Sequence, residues 1–258
     1  MRILFLGDVV GKVGRKAVQN SMHGLRQEFE PDFFLLNGEN AAAGVGITAE
    51  IAKEFLDWGI DGITLGNHAF AKRDFADYIS TQTKIVRPAN FPPDTPGVGA
   101  TILKKNELRL GLINLCGRIF MQEYDDPFRQ FDKIAAELDT KCLLVDFHAE
   151  ATSEKSAFGW YVDGRASAVV GTHTHVQTAD ERILPSGTAF ITDVGMCGPR
   201  DSVIGMDREI ILRRFLTLMP EKFEVAGGTG VISGVVIDVN IETGAAERIE
   251  RVFRPAAE

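Results

Sequence analysis

The chain has 258 residues, of which 45% are hydrophobic and 25% charged, with a formal net charge of −8. That length and composition suit one globular domain over 1–258, whose core needs neither disulfides nor a structural metal. The acidic balance, with no run of Lys and Arg, argues against stable duplex nucleic-acid binding, since phosphate backbones demand many cationic contacts. A small phosphorylated substrate stays open.

In chain order, Arg2 to Leu6 reads as a buried strand ending at Gly7-Asp8. A helix from about Arg15 to Phe29 follows, then a strand over Phe33 to Leu36 that runs into Gly38-Glu39-Asn40. Thr48 is placed to cap a helix through about Trp58. Gly62 to Leu65 is a third strand, leading into Gly66-Asn67-His68, and a helix near Arg73 to Ile79 returns the chain. Arg87 to Gly99 carries four of the ten prolines and is expected as a rigid surface loop. Thr101 to Leu103 and Arg109 to Leu115 read as a hairpin, and Gln130 to Asp139 as a helix. Strands follow at Cys142 to Phe147, Ala168 to Val170 and Ala189 to Thr192. A helix over Asp207 to Leu218 and strands at Val231 to Val239 and Arg248 to Phe253 complete the chain. The opening βαβαβ half implies parallel strands and the later hairpins antiparallel ones, so mixed sheets flanked by helices are expected. Cys116, Cys142 and Cys197 form no CxxC spacing, and no apolar run approaches a membrane span, which fits a cytoplasmic protein.

Five apolar strands run directly into residues able to bind metal: Asp8, Glu39 with Asn40, Asn67 with His68, His148, and His173 with His175. Strand carboxyl ends line one edge of an α/β sheet, so these side chains converge although distant in sequence. Four of the five histidines sit at such ends; the fifth, His23, lies inside the first helix. Carboxylate, amide oxygen and imidazole suit Mn²⁺, Fe or Zn²⁺ better than thiolate-seeking metals. Seven ligands, Asp8, Glu39, Asn40, Asn67, His148, His173 and His175, exceed the needs of one ion. Two ions sharing a carboxylate, roughly 3.5–4 Å apart, use them naturally and lower a bound water's pKa to about 7, giving a hydroxide nucleophile. Weaker candidates are Glu150 and Thr152, as partners orienting His148 or equally as the N-terminal cap of the next helix, Asp193 as a supporting acceptor, and Arg87 and Arg118 toward phosphate. Gly7, Gly11 and Gly14 do not match GxGxxG, which leaves a dinucleotide loop out.

The blocks Gly7-Asp8, Gly38-Glu39-Asn40, Gly66-Asn67-His68, His148 and Gly171-Thr172-His173-Thr174-His175 resemble the calcineurin-like metallophosphoesterases and span about two-thirds of the chain. Two departures stand out: the His expected two residues after Asp8 is Val10, and Glu39 occupies the bridging Asp position with Asn40 beside it. Gly38 to Ala42, Arg87 to Pro92, Asp146 to Lys155, Asp163 to Ser167 and Thr192 to Met196 are similar to the YmdB-like subfamily over nearly the whole chain. That resemblance implies a four-layer α/β/β/α sandwich with two mixed sheets and the metal site at the strand C-terminal ends. It further implies a di-iron or di-manganese centre, phosphodiesterase activity on cyclic nucleotides, notably 2′,3′-cyclic AMP, and a homo-oligomer. By the same resemblance Asp8, Glu39, Asn40 and His175 hold one metal, and Glu39 bridges to a second held by Asn67, His148 and His173. His68 stands at the general acid's place. A phosphomonoesterase or nuclease with the same centre, or a regulatory scaffold with a metal site, remains an alternative.

Overall fold

The computed structural model describes residues 1–257. Its elements are β1 (Arg2–Leu6), β2 (Asp8–Val9), α1 (Gly11–Phe29), β3 (Phe33–Asn37), α2 (Ala49–Asp57), β4 (Gly62–Thr64), α3 (Phe75–Ile79) and β5 (Ile85–Val86). Then come β6 (Ala100–Lys105), β7 (Leu108–Cys116), α4 (Pro127–Glu137), β8 (Leu143–His148), α5 (Thr152–Val162), β9 (Ala168–Thr172), β10 (Arg182–Ile183) and β11 (Ala189–Ile191). The chain finishes with β12 (Met196–Pro199), α6 (Arg208–Thr217), β13 (Gly230–Val239) and β14 (Ala246–Pro255).

Eight strands form one sheet in the order β2-β12-β13-β1-β3-β4-β5, with β14 beside β13, and six form another in the order β10-β11-β9-β8-β7-β6. Both are mixed. β1, β3, β4 and β5 run parallel while β13 and β14 are antiparallel, and β7, β8, β9 and β11 run parallel while β6 and β10 are antiparallel edges.

The alternation of side chains along each strand builds three cores and hence four layers. Leu4 and Leu6 of β1 point outward to Val18, Met22 and Leu25 of α1 and Phe55 of α2. Ile3 and Phe5 point the other way, into a core between the sheets with Phe33, Leu35, Leu112, Leu144, Val170 and Val235. The far face of the second sheet, with Ile113, Val145 and Phe147, packs on Phe131 of α4 and Phe158 of α5. This is the α/β/β/α sandwich expected from the sequence resemblance. Thr48 caps α2 by accepting from Ile51 N at 3.2 Å, so that helix starts where its cap predicts.

The Pro-rich stretch departs from expectation. Arg87 to Phe91 are buried, and only the residues after them reach the surface. Prolines cannot extend a backbone ladder, and the Arg87 guanidinium satisfies the carbonyls left over, donating to Pro88 O (2.8 Å), Thr95 O (3.1 Å) and Pro96 O (3.4 Å). Arg87 is therefore a structural residue rather than a substrate contact.

Between the sheets, the inward row of each strand changes from apolar to polar toward the carboxyl end. Phe33 and Leu35 give way to Asn37, Leu110 and Leu112 to Asn114, Leu144 to Asp146 and His148, and Ala168 and Val170 to Thr172. That polar row is the floor of the site.

Candidate metal centre

The structure brings Asp8, Glu39, Asn40, Asn67, His68, His148, His173 and His175 together above this floor. His148 Nε2 lies 3.1 Å from Glu39 Oε1, 3.0 Å from Asn67 Oδ1 and 3.0 Å from His173 Nδ1. Glu39, His148 and His173 have the spacing of a metal-holding group, their donor atoms within 4.8 Å of one another. On the other flank, Asn40 Nδ2 lies 3.1 Å from His175 Nε2, 3.1 Å from Glu39 Oε1 and 3.4 Å from Asp8 Oδ1, and His175 Nε2 is 3.7 Å from Asp8 Oδ1. Glu39 is thus the residue common to both flanks. His68 borders them, with its N–H donating to Glu39 Oε2 (3.0 Å) and its Nδ1 3.1 Å from Asn40 Oδ1.

The backbone is shaped around these atoms. A Cβ on Gly66 would fall 2.2 Å from Glu39 Oε2 and 2.4 Å from His148 Nε2, so only glycine lets β4 deliver Asn67 to the cluster. His173 and His175 both adopt positive φ, +99° and +66°, a conformation that costs on the order of 1–3 kcal/mol in a non-glycine residue. Thr174 between them is pinned, its N–H and hydroxyl donating to Asp193 Oδ2 at 3.1 and 2.7 Å. Lys155 Nζ reaches the same oxygen at 2.7 Å, and Gly195 N donates to Asp193 Oδ1 at 2.8 Å. The ion pair is fully buried, and its hydrogen bonds offset the desolvation of both charges. Asp193 therefore acts on the His173-Thr174-His175 turn, in line with the supporting role that its strand-end position suggested.

Charge and burial shape the titration of the cluster. Burial alone would raise the Glu39 and Asp8 carboxyls, but His148 and His68 hold Glu39 well below its usual range, and His175 lowers Asp8. Burial likewise opposes the charged form of both imidazoles that answer them. Even so, Glu39 raises His148, and its partner Asp8 lifts His175 to about 9. His173, buried and facing a charged His148, falls to about 3. Protons on His148 and His175 are thus what the protein itself offers against two buried carboxylates. Divalent cations would take that place, releasing protons as they bind. The donor set of hard oxygens and imidazoles fits them.

The sequence assigned no role to Asp146 and Thr172, which sit in strands and enter the blocks 146–155 and 171–175 only as neighbours of the histidines. The Thr172 hydroxyl donates to Asp146 Oδ1 at 2.6 Å and lies 2.8 Å from His148 Nδ1. Its single proton goes to the carboxylate, so it accepts from Nδ1–H and leaves His148 Nε2 directed at Glu39 and Asn67. Asp146 Oδ2 takes hydrogen bonds from Asn37 Nδ2 (2.9 Å) and Thr64 Oγ1 (2.5 Å), which ties the two sheets together. Burial pushes this carboxyl up to about 6 against those donors and His148. The roles expected for Glu150 and Thr152 do not materialise at His148. Glu150 faces His173 Nε2 at 3.2 Å instead, and Thr152 opens α5 without capping it. Arg118 pairs with Asp126 at 3.4 Å on the surface.

Two facing mixed sheets, with this cluster at the strand ends, define a phosphoesterase of the calcineurin-like fold. The chain belongs to the YmdB-like protein family, whose family model matches residues 4–252. It is 54% identical over 255 residues to the 2′,3′-cyclic-nucleotide 2′-phosphodiesterase of Bacillus subtilis (strain 168), covering 98% of this chain and 97% of that one. Among solved structures, a hypothetical protein from Thermus thermophilus superposes with a TM-score of 0.93 at 41% identity, covering 99% of this chain and 100% of that chain. A phosphatase from Mycoplasma pneumoniae does so with 0.94 at 33% identity, covering 100% and 94%.

Replacing Thr172 with Val removes the hydroxyl relay while keeping the shape of the side chain. Mn²⁺ affinity by calorimetry is expected to fall about 10–100-fold, with Thr172→Ser restoring most of it. Equal affinity in the Val variant would show that His148 needs no such support.

Proposed function

We propose that the chain is a metal-dependent phosphoric ester hydrolase that opens 2′,3′-cyclic nucleotides, 2′,3′-cyclic AMP first among them. The observation that carries this reading is Glu39, a fully buried carboxylate with one oxygen 3.1 Å from both His148 Nε2 and Asn40 Nδ2. The 54% identity to a cyclic-nucleotide phosphodiesterase supports the substrate class. Asp8, Glu39, Asn40 and His175 would hold one ion, and Glu39, Asn67, His148 and His173 a second, with Fe or Mn as the metals. Two such ions supply Lewis acidity toward phosphoryl oxygens and acidify a water at neutral pH.

The residues of the chain divide the remaining work. Asn40 and Glu39 hold the His68 ring and backbone, and its side chain is 38% exposed at the cluster's border. Its Nε2 makes no hydrogen bond within the described residues, so a proton there is free for the leaving ribose oxygen as the P–O bond breaks. The strained His173-Thr174-His175 turn and the Gly66 passage fix the donor atoms in advance, so little reorganisation is needed on substrate binding.

The reading includes a cytoplasmic location, supported by three cysteines that are all buried and free. Among the described residues no helix is long and apolar enough to cross a membrane. It also includes a homo-oligomer. Leu212, Phe215, Leu216, Leu218 and Met219 of α6 and its C-terminal turn are all exposed, an apolar strip of the kind that marks an interface. Sedimentation equilibrium should return a multiple of 28.2 kDa; a single 28.2 kDa species would remove the oligomer from the account.

The chemistry itself is tested with Mn²⁺-loaded protein, 2′,3′-cyclic AMP and phosphorus NMR. A monoester resonance should grow with wild type and be absent with Asn67→Ala. His68→Ala should keep its metal and lose turnover by on the order of 10²–10⁴-fold. Hydrolysis of a simple phosphate monoester in place of the cyclic diester would move the assignment to a phosphomonoesterase. Metal and activity lost together in His68→Ala would make His68 a ligand.

A further inference from the structure

The loop between β7 and α4 carries an aromatic ring that no part of the fold uses. β7 ends at Cys116, in register with His148, and Gly117 N donates to the His148 carbonyl at 3.0 Å. Arg118, Ile119, Phe120 and Met121 then form a tight turn, closed by Met121 N donating to Arg118 O at 3.2 Å. Phe120 holds the third position with φ +60°, a place that favours Gly or Asn because other residues enter the left-handed region at a cost. Its ring is 88% exposed, and Ile119 before it is 47% exposed. The chain thus accepts backbone strain to hold a large apolar ring in water, and no packing offsets either cost.

The turn is nonetheless held firmly, and at both ends. The buried Glu154 carboxylate accepts from Arg118 N at 2.9 Å and from Ile119 N at 3.1 Å. Further along, Tyr124 stacks on Phe91 with ring centroids 4.8 Å apart. Phe91 in turn meets Phe70, two residues beyond His68, at 6.4 Å. Asn90 Nδ2 secures the Asp125 carbonyl at 2.9 Å. The turn therefore follows directly on the strand end that carries His148, and the chain beyond it packs through Phe91 on Phe70 of the loop that carries His68.

We propose that Phe120 is the platform on which the substrate's nucleobase stacks while its phosphate lies at the metal centre. The inference rests on the cyclic-nucleotide reading and adds to it the residue that recognises the base. A flat π surface fixed beside that strand end suits a base because every base offers a π face, so stacking tolerates different bases and favours the larger purines. A protein partner fits less well. Ile119 and Phe120 alone fall far short of the about 800 Å² per partner that a stable interface buries, and the larger apolar strip lies elsewhere, on α6.

The test titrates 2-aminopurine riboside 3′-monophosphate, whose fluorescence is quenched by stacking, into the Mn²⁺-loaded protein, with inorganic phosphate measured in parallel. Wild type and Phe120→Trp should bind and quench. Phe120→Ala should bind roughly tenfold or more weakly and lose the quench, while its phosphate affinity changes less than about twofold. Equal nucleotide binding and quench in Phe120→Ala would overturn the platform and leave the substrate reading intact. Wild type that binds phosphate but no nucleotide would overturn both. A change in sedimentation of Phe120→Ala, with nucleotide binding unchanged, would overturn the platform and assign the ring to contacts between protein copies.

Discussion

Two carboxylates, Asp8 and Glu39, are removed from water altogether, and among the described residues no Lys or Arg stands within ion-pair distance of either. Burying an unpaired anion is costly enough that proteins neutralise it, pair it or bind a cation to it. The groups that face them are neutral donors, Asn40 Nδ2 and the backbone N–H of His68 and His173, and imidazoles, with His148 and His68 at Glu39 and His175 at Asp8. Imidazole charge is conditional on a proton, whereas a divalent ion's is not. The arrangement of the whole strand-end edge, including the glycine at Gly66 and the strained His173 and His175, is intelligible as a device for presenting that negative charge to metal. Asp193 behaves differently. That carboxylate is equally buried, yet Lys155 meets it at 2.7 Å and its other contacts are all donors, so it is closed and serves as a buttress.

Support reaches the cluster from below through the polar ends of the inward strand rows. Asp146 sits between the sheets and accepts from Asn37 and Thr64 of one and Thr172 of the other. The same carboxylate thus joins the two halves of the sandwich and sets the orientation of His148 through the Thr172 hydroxyl. A fully satisfied buried network of this kind rigidifies what it touches. Rigidity is what a centre assembled from five strand ends requires, because each strand contributes one or two donor atoms and none can find the others without fixed sheet packing.

The sequence made the site more legible than its support. Apolar runs ending in Asp8, Glu39, Asn67, His148 and His173 are visible because strand ends are abrupt, and the rule that such ends converge holds here. The three cores were also implicit, since alternating outward and inward positions such as Leu4 and Phe5 are both apolar in a strand covered on two faces. The short strands β2, β5, β10 and β12 escaped notice, having two to four residues each and no readable period. The helix that Glu150 and Thr152 suggest has no readable extent, because Glu154 and Lys155 of α5 are buried to clamp loops rather than exposed. Asp146 and Thr172 escaped for a related reason. A polar residue inside a strand reads as facing solvent, and only the packing of a second sheet turns that position into the floor of a site. Glu150 was legible as a partner but was matched to His148, its neighbour in sequence, when the strand direction carries it to His173.

We take the buried charge of Asp8 and Glu39 to hold two metal ions, with Glu39 shared between them. Counting bound Mn²⁺ per chain by equilibrium dialysis and elemental analysis addresses it most directly, in wild type and in Glu39→Gln, with circular dichroism confirming that both are folded. Two ions per wild-type chain are expected, with loss of both, or of all tight binding, when the shared carboxylate becomes an amide. A single ion in the wild type, or two ions retained by folded Glu39→Gln protein, would contradict it.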